Sequence, residues 1–294
     1  MTEEMEGTPA AGRIRELDRP PVVDVLGQVV AQRAAVARRL ASVRRVVAIA
    51  SGKGGVGKSL LTANLAAALA SNAGQVGVLD ADIHGPSAAL MLGARGQQLM
   101  LGPEGARPAL GVSGVRVISM DLFLEGDDTA VRWRNYGGLA EDSFVWRGTL
   151  EANVLREFLA DTDWGVLDYL LIDMPPGADR FETLLRLLPD LGGALLITTP
   201  SAASVLVVRR AAAAAQQAGA RILGLVENMA QAADPGPGKG LADDLGIPFL
   251  GRVPFDPELG RSTDTGRPGV LIDPERPGAR AILELAGRLE GILA

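Results

Sequence analysis

The chain has 294 residues, of which 47% are hydrophobic and 4% aromatic, with no cysteine and one histidine, His84. This length and apolar content suffice for one large α/β domain with a core of Ala, Val and Leu. The lack of cysteine excludes disulfides, thiol catalysis and any metal or cluster held by this chain's own thiolates, and a single histidine argues against a histidine-based metal site. A formal net charge of −6 gives no general case for nucleic-acid binding.

The start of the chain is polar and acidic and lacks the apolar core of a signal peptide. No apolar run reaches the ~18–20 residues of a membrane-spanning helix. The sequence therefore predicts a cytoplasmic protein outside the membrane. Residues 1–19 are predicted to be a disordered tail.

Residues 20–45 are predicted to form an amphipathic helical segment. Apolar residues from Val22 to Val43 recur at helical spacing, and the segment also carries five arginines. A basic amphipathic helix can contact a membrane surface or a nucleic acid. The commoner arrangement, favoured for this segment, packs the apolar stripe on the domain or on a second subunit.

Residues 46–294 are predicted to be one domain, because apolar strand patterns alternate with helical stretches. The predicted strands are 46–50, 76–80, 115–119, 168–173, 194–199, 222–226 and 249–251. The predicted helices include 59–71, 150–160, 181–188, 202–218 and 239–245. This alternation predicts an α/β fold with a mainly parallel sheet, helices on both faces, and ligands at the carboxyl ends of the strands. Residues 124–144 are predicted to be a loop, or a loop with a short helix, and 230–238 a flexible loop.

The run from Ser51 to Ser59 contains the phosphate-loop pattern G-x4-G-K-S between an apolar strand and an Ala- and Leu-rich helix. The glycines let backbone N–H groups turn towards phosphates. Lys58 is predicted to neutralise phosphate charge, and the Ser59 hydroxyl to ligate Mg²⁺. The residues predicted to line the nucleotide are Gly52, Gly54, Gly55, Val56, Gly57, Lys58, Ser59 and Leu60.

Acidic residues follow two of the predicted strands. Asp173 ends a buried strand in the Walker B form and is predicted to hold Mg²⁺, and Gly177 to offer a backbone N–H to the γ-phosphate. Asp80 and Asp82 fall on one side of their strand if it continues that far. Asp82 is predicted to orient an attacking water or hold the Mg²⁺ shell, whereas Asp80 is more readily a cap or turn residue.

Two weaker signals lie further along the chain. Asn228, in Glu227-Asn228-Met229, offers a donor and an acceptor that suit an adenine edge. Pro254 and Asp256 close a later strand and are predicted to wall the base.

Lys53, a second lysine directly after the first glycine of the phosphate loop, makes the loop resemble the deviant Walker A loop of the MinD/ParA P-loop NTPases. Further motifs resemble the Mrp/ApbC branch of iron–sulfur cluster carriers within that group. These motifs are Leu79 to Ser87, Trp146-Arg147-Gly148, Leu167 to Leu170, Asp173 to Gly177, Thr198-Thr199-Pro200 and Glu227-Asn228-Met229.

The resemblance implies a Mg²⁺-dependent ATPase that forms a homodimer with two ATP molecules between its subunits. Lys53 would then reach the partner's nucleotide and offset charge that develops during hydrolysis. By the same resemblance, Asp82 positions water, Asp173 is the Walker B residue and Asn228 contacts adenine.

The sequence departs from this family in the loop after Glu227-Asn228-Met229. Carriers usually have a Cys-x-x-Cys pair there, which two subunits combine to hold a cluster. Here Ala230 to Gly238 contains no cysteine, and Asp234 is its only ionisable residue. No iron–sulfur cluster is therefore predicted from this chain alone. The Pro-Pro-Gly motif is also followed by Ala178-Asp179 where the family commonly has Thr-Gly-Asp, so the switch II loop looks one residue shorter.

Four functions follow from these observations. The first is an ATP-gated scaffold or adaptor for a protein partner, hydrolysing ATP slowly and without its own cluster. The second is iron–sulfur or metallocofactor assembly with cysteines supplied by a partner. The third is positioning of cargo on a membrane or nucleoid, supported only by the basic segment 20–45. A nucleotide kinase is disfavoured because no arginine-rich lid is evident.

The aromatic residues between Trp133 and Trp146 are accompanied by three arginines and fit either a partner surface or the commoner packing under a long loop.

Overall fold

The computed structural model describes residues 25–72, 74–123, 144–177, 184, 187–188, 191–217, 219–231 and 236–294. The predicted tail 1–19, most of the predicted helix 181–188, and residues 124–143 and 232–235 of the two predicted loops lie outside these residues. Within the described part of the chain, every helix is too short or too polar to cross a membrane.

A central sheet organises the described residues. Its strands are β1 (Val43–Ser51), β2 (Val76–Asp80), β5 (Ala109–Leu110), β6 (Arg116–Ile118), β7 (Leu167–Asp173), β8 (Gly193–Thr198), β9 (Ile222–Ala230) and β10 (Phe249–Pro254). The spatial order is β10-β9-β8-β1-β7-β2-β6-β5, with parallel neighbours except for the antiparallel pair β5 and β6. A separate antiparallel hairpin joins β3 (Met100–Gly102) to β4 (Gly105–Arg107). The predicted mainly parallel α/β sheet is confirmed.

Helices cover both faces of the sheet, as predicted. They are α1 (Val25–Arg39), α2 (Lys58–Ser71), α3 (Ala88–Met91), α4 (Phe144–Ala160), α5 (Ala202–Gln217), α6 (Gly238–Leu245), α7 (Pro257–Asp264), α8 (Gly269–Ile272) and α9 (Pro277–Leu293). Short 3₁₀ turns occupy Leu40–Ser42, Val112–Gly114 and Met120–Phe123.

Two apolar cores lie on opposite faces of the sheet. On one face, α2 and α9 bury residues such as Leu65 and Leu285 against the sheet. On the other face, α1, α4 and α5 contribute residues such as Val36, Leu159 and Val208. The inner strands β2 and β8 are mainly apolar and are buried along their whole length, because both of their faces are covered. The sheet is thereby held rigid, and its carboxyl edge can carry a precisely built site.

The predicted helical segment 20–45 is wrong at its carboxyl end. Helix α1 stops at Arg39, and β1 begins at Val43, which pairs with Leu167 of β7. The apolar residue Val43 fits the spacing of a helix as well as that of a strand. It belongs to the strand because its main chain pairs with β7. Helix α1 packs on α4, with Val36 fully buried, so part of the apolar stripe does pack on the domain.

Several further boundaries differ from the prediction. Helix α4 begins at Phe144, so the predicted loop ends one residue earlier and the predicted helix 150–160 starts six residues earlier. Strand β9 continues to Ala230 because β10 runs beside it to Pro254. The hairpin of β3 and β4 and the helix α8 were not predicted, since these elements are short. Helix α7 was also not predicted.

Candidate functional site

The loop from Ser51 to Gly57 joins the carboxyl end of β1 to the amino end of α2. Gly55 and Gly57 have φ angles of +73° and +77°, which favour glycine. At Gly52 a side chain would collide with the backbone of Val207 in α5, so this glycine permits close packing. The predicted loop therefore has the backbone that its glycines require, at the amino end of a helix whose dipole favours anions.

Lys58 and Asp173 form a buried ion pair at the base of this loop. Lys58 Nζ lies 2.6 Å from Asp173 Oδ1, and the two side chains are 7% and 0% exposed. The Thr62 hydroxyl also lies 3.1 Å from Asp173 Oδ1. Among the described residues, nothing hydrogen-bonds to Asp173 Oδ2, although that atom is buried. A cation would satisfy this oxygen, which fits the predicted Mg²⁺ ligand. The Ser59 hydroxyl lies 3.5 Å from Lys58 Nζ, and its own part in holding Mg²⁺ stays a prediction.

Asp80 lies beside Asp173, because β2 and β7 pair these residues in register. Its carboxylate accepts hydrogen bonds from the Ser119 hydroxyl and from the backbone N–H groups of Asp82, Ser87 and Ala88, at 2.9 to 3.1 Å. Burial raises the pKa of Asp80 to about 7, and repulsion from Asp173 acts in the same direction, against the effect of these hydrogen bonds. The interpretation of Asp80 as a cap or turn residue agrees with these contacts.

Asp82 lies in a turn after β2 and not in the strand, which ends at Asp80. The condition under which both aspartates fall on one side of a continued strand is therefore not met, and Asp80 turns to the amides of the following segment. Asp82 Oδ1 accepts a hydrogen bond from Gly85 N at 3.1 Å. The neighbouring His84 contacts Glu151 of α4, with 2.8 Å between Nε2 and Oε1. The role of Asp82 in orienting water stays a prediction.

Lys53 is half-buried, and its ammonium donates a hydrogen bond to Ser201 Oγ, 3.2 Å away in the turn before α5. Among the residues that the structure describes, the ammonium of this lysine, which is predicted to reach a partner subunit, thus hydrogen-bonds to one neutral hydroxyl. Such a hydrogen bond is weak enough for an anion to replace the hydroxyl as the partner of Lys53.

Asn228 and Gly177 both contact the phosphate-loop segment. Asn228 is buried, and its Nδ2 donates to Val56 O at 2.8 Å, while Gly177 N lies 3.4 Å from Ser51 O. Met229 follows with a left-handed φ of +56°, which is rare for a residue with a side chain, and its methyl group lies near Gly57. The structure thus brings both predicted residues to the loop, and their nucleotide contacts stay predictions.

Asp256 holds the start of α7. Its Oδ1 accepts from the N–H groups of Glu258 and Leu259, and its two oxygens contact Arg276 at 2.7 and 3.0 Å. The hydrogen bond from Arg276 lowers the pKa of Asp256. These contacts join α7 and the start of α9 rather than the phosphate loop. Pro254 ends β10, and a base-wall role for either residue stays a prediction.

A clamp not found from the sequence holds both ends of the loop after β9. We define it as Glu227, which is 0% exposed, and Arg252, whose Nε lies 2.8 Å from Glu227 Oε1. Arg252 also donates to Gln231 O at 3.2 Å, and Gly238 N donates to Glu227 Oε2 at 2.7 Å. Gly236 presses against the same carboxylate so closely that a side chain would collide with it. Only the register that places Glu227 beside Arg252 could have revealed the pair.

The clamped loop offers no ligands for an iron–sulfur cluster, since the chain has no cysteine. Among the residues that the structure describes, no group of three or more His, Asp or Glu side chains is arranged to hold a metal ion. The residues present do not fit a cluster.

Comparisons with known proteins agree with this geometry. The family model described as ParA, NUBPL iron-transfer P-loop NTPase, matches residues 42–139 and 137–290. The chain is 37% identical over 263 residues to the iron-sulfur cluster carrier protein of Saccharolobus solfataricus, covering 85% of this chain and 84% of that protein. It is 38% identical over 273 residues to the cytosolic Fe-S cluster assembly factor NBP35 of Eremothecium gossypii, covering 87% and 78%.

A similar fold occurs in the solved structure of a nucleotide-binding protein from Archaeoglobus fulgidus in complex with ADP. The TM-score is 0.66 at 33% identity, over 80% of this chain and 91% of that chain.

Proposed function

This chain belongs to the NUBPL-type iron-transfer P-loop NTPases, the Mrp/ApbC-type carriers of the MinD/ParA group, and from that premise we propose that it is a Mg²⁺-dependent ATPase that works as an ATP-gated homodimeric scaffold without its own cluster site. It would act in the cytoplasm on a protein partner and without nucleic acid or membrane. The proposed ATPase unit is the predicted domain 46–294, extended to the start of β1 at Val43.

One observation carries the proposal. At one edge of the sheet, Lys58 contacts Asp173, Asn228 contacts the phosphate loop, and Asp82 follows the strand that ends beside Asp173. The Glu227–Arg252 clamp contacts Gln231 and Gly238 at the two ends of a loop without cysteine. The first group suits a nucleotide triphosphate, because it combines a cation, carboxylates and turned backbone amides. The clamped loop offers no thiolate, so the nucleotide chemistry is kept where the cluster ligands are lost.

Each residue has a role in the proposed reaction. Lys58 would leave Asp173 and contact the β- and γ-phosphates, and Asp173 and the Ser59 hydroxyl are the groups that would hold Mg²⁺. The metal ion, when bound, neutralises phosphate charge. Asp82 orients the water that attacks the γ-phosphorus, and ADP leaves with the bridging oxygen. Lys53 exchanges Ser201 for the nucleotide of the partner subunit, so that hydrolysis depends on dimer closure.

A second candidate is supported by the names of the relatives. Two of them are called an iron-sulfur cluster carrier protein and a cytosolic Fe-S cluster assembly factor. In this candidate the chain assists iron–sulfur assembly while a protein partner supplies the cysteines.

Phosphate release by the Asp82→Ala variant tests the ATPase proposal. We expect the parental chain to release phosphate from Mg²⁺-ATP, and the variant to be about 10²–10³-fold slower because its water is no longer oriented. ATP binding should persist, and the closed dimer should accumulate in sedimentation experiments. A variant that hydrolyses ATP at the parental rate would contradict the role of Asp82.

Anaerobic reconstitution with iron and sulfide separates the two candidates. The purified chain should bind no stoichiometric cluster, and a cluster bound by the chain alone would refute the scaffold proposal. A cluster that forms only when a cysteine-bearing partner is present would favour the second candidate.

A further inference from the structure

Asp80 has no part in the proposed hydrolysis, yet its carboxylate is 1% exposed and closely surrounded by donors. Oδ1 accepts from Asp82 N at 3.1 Å, and Oδ2 accepts from Ser87 N at 2.9 Å and Ala88 N at 3.0 Å. The N–H groups of Asp82 and Ser87 belong to the segment between β2 and α3, and that of Ala88 is the first amide of α3. One carboxylate therefore ties both ends of the segment that carries Asp82.

Ser119 holds this carboxylate from a second strand. It directly follows β6, is 0% exposed, and its hydroxyl donates to Asp80 Oδ2 at 3.0 Å. Because β6 pairs with β2, the position of Asp80 is fixed by the sheet and transmitted to the segment. The position of the segment is therefore set by the sheet.

A role in fold stability alone explains these contacts poorly. Helix α3 has four residues, so fixing its first amide adds little regular structure. A carboxylate buried beside a second carboxylate is unfavourable, and an apolar residue would serve the core better. The contacts converge on the segment of Asp82, a residue that is half-buried and follows the strand ending beside Asp173.

We infer that Asp80 is a positioning residue that holds Asp82 at the nucleotide site, and that Ser119 orients Asp80 for this task. The inference rests on the proposed function, because it assigns Asp82 to the attacking water. The segment is tied at its base to Asp80 and on its outer side through His84 to Glu151.

Two variants and a matched control test this inference. Asp80→Asn keeps the shape but turns one acceptor into a donor that must face an N–H or O–H group. Ser119→Ala removes one hydroxyl. Thr263→Val also removes a buried hydroxyl, which contacts Asn64 and Leu259 and no residue of the Asp82 segment. We expect the control to lower the melting temperature and to keep the parental kcat.

The expected signature is a split between kcat and KM. Asp80→Asn should lower kcat by about 100-fold and Ser119→Ala by about 5-fold, each with KM for ATP within about 2-fold of the parental value. In the Asp82→Ala background, Asp80→Asn should cause little further loss, since the residue it positions is already gone. An equal loss in both backgrounds, or parental kcat in both single variants, would overturn the inference.

Amide hydrogen exchange gives a readout that is independent of turnover. In Asp80→Asn, the amides of Asp82, Ser87 and Ala88 should exchange faster while those of β2 and β7 stay protected. Unchanged exchange overturns the inference whatever the ATPase assay gives. If the parental chain releases no phosphate, the proposed function fails. Faster amide exchange in Asp80→Asn would then still support the inference that Asp80 fixes the segment of Asp82.

Discussion

The phosphate loop, Ser51 to Gly57, and the loop after β9, residues 231–237, follow strands that end at the same edge of the sheet. The two loops differ in how closely their residues match the motifs of the family. The first meets each backbone demand of its motif, with Gly55 and Gly57 in the left-handed region. The second contains no cysteine, and the Glu227–Arg252 clamp contacts Gln231 at its start and Gly238 directly after it. On the proposed function, the phosphate loop is kept while the second loop has no ligands for a cluster.

The two loops are nevertheless neighbours. Asn228 donates to Val56 O, and the next residue, Met229, approaches Gly57. The side chain of Glu227 lies on the opposite side of β9 from that of Asn228, because successive strand residues alternate. This alternation lets one strand serve the phosphate loop with one residue and the clamp with the preceding one.

Removing the phosphate lysine should give the largest effect. Lys58→Met is expected to weaken ATP binding by at least about 100-fold, because the phosphates lose their main cation. It also leaves Asp173 buried without its partner, so the free energy of unfolding should fall by about 3 kcal/mol. Calorimetric titration and urea unfolding measure the two effects. Lys239→Met, which removes an exposed ion pair with Asp243, should change neither.

The second lysine should affect turnover and spare binding. Lys53→Ala is expected to lower phosphate release by about 10–100-fold, because charge stabilisation from across the dimer is lost, with Kd for ATP within about 3-fold of the parental value. Ser201→Ala, which removes the present partner of Lys53, should keep parental turnover. Parental turnover in Lys53→Ala would remove the sandwich dimer from the proposal.

Glu227→Gln tests whether the two loops are separable. The substitution keeps the shape and removes the charge that holds Arg252 and Gly238 N, so the free energy of unfolding should fall by about 2 kcal/mol. The amides of Gln231 and Gly238 should exchange faster, while Kd for ATP stays at the parental value. A loss of ATP affinity comparable with that of Lys58→Met would show that the loops act as one unit.

The smallest effect, on the free energy of unfolding, is expected at Asp256, which caps α7 and lies outside both loops. The pKa of Asp256 is lowered from 3.8 by its hydrogen bond with Arg276, so the folded state binds fewer protons than the unfolded state in that window. Its stabilisation is present above pH 3.8 and lost as the pH falls through the lowered pKa. At neutral pH, Asp256→Asn should reduce the free energy of unfolding by about 1 kcal/mol.

The difference from the parental chain should vanish in acid, and a difference that persists there would assign the effect to packing. The affinity of Asp256→Asn for ATP shows separately whether this residue also walls the base.

The elements found from the sequence are those with local causes. The phosphate loop, β2 and β7 follow from glycine geometry and from apolar runs buried on both faces. The contacts that complete the site join residues far apart in the chain. Lys58 and Asp173 are separated by 115 positions, and Asp80 and Ser119 by 39, so only strand register brings them together.

Some errors had a visible signal. Asp256-Pro257-Glu258 has the pattern of a helix start, with a cap residue, proline at the first position and an acid in the first turn. Because Asp256 is predicted to wall the base, its role as the cap of α7 was missed. The extra length of β1 was harder to see, because Val43 suits both periods and only the neighbouring β7 decides between them.

The ion pair between Lys58 and Asp173 has a consequence for ligand choice. A phosphate that uses Lys58 competes with a carboxylate that is part of the protein and already lies 2.6 Å from the ammonium. Inorganic phosphate or a monophosphate that takes Lys58 without bringing a metal ion would leave Asp173 buried without a cation, whereas a triphosphate with Mg²⁺ gives Asp173 a new cation in exchange. We therefore expect the site to bind small anions weakly at cellular concentrations and to bind a triphosphate only together with its metal ion.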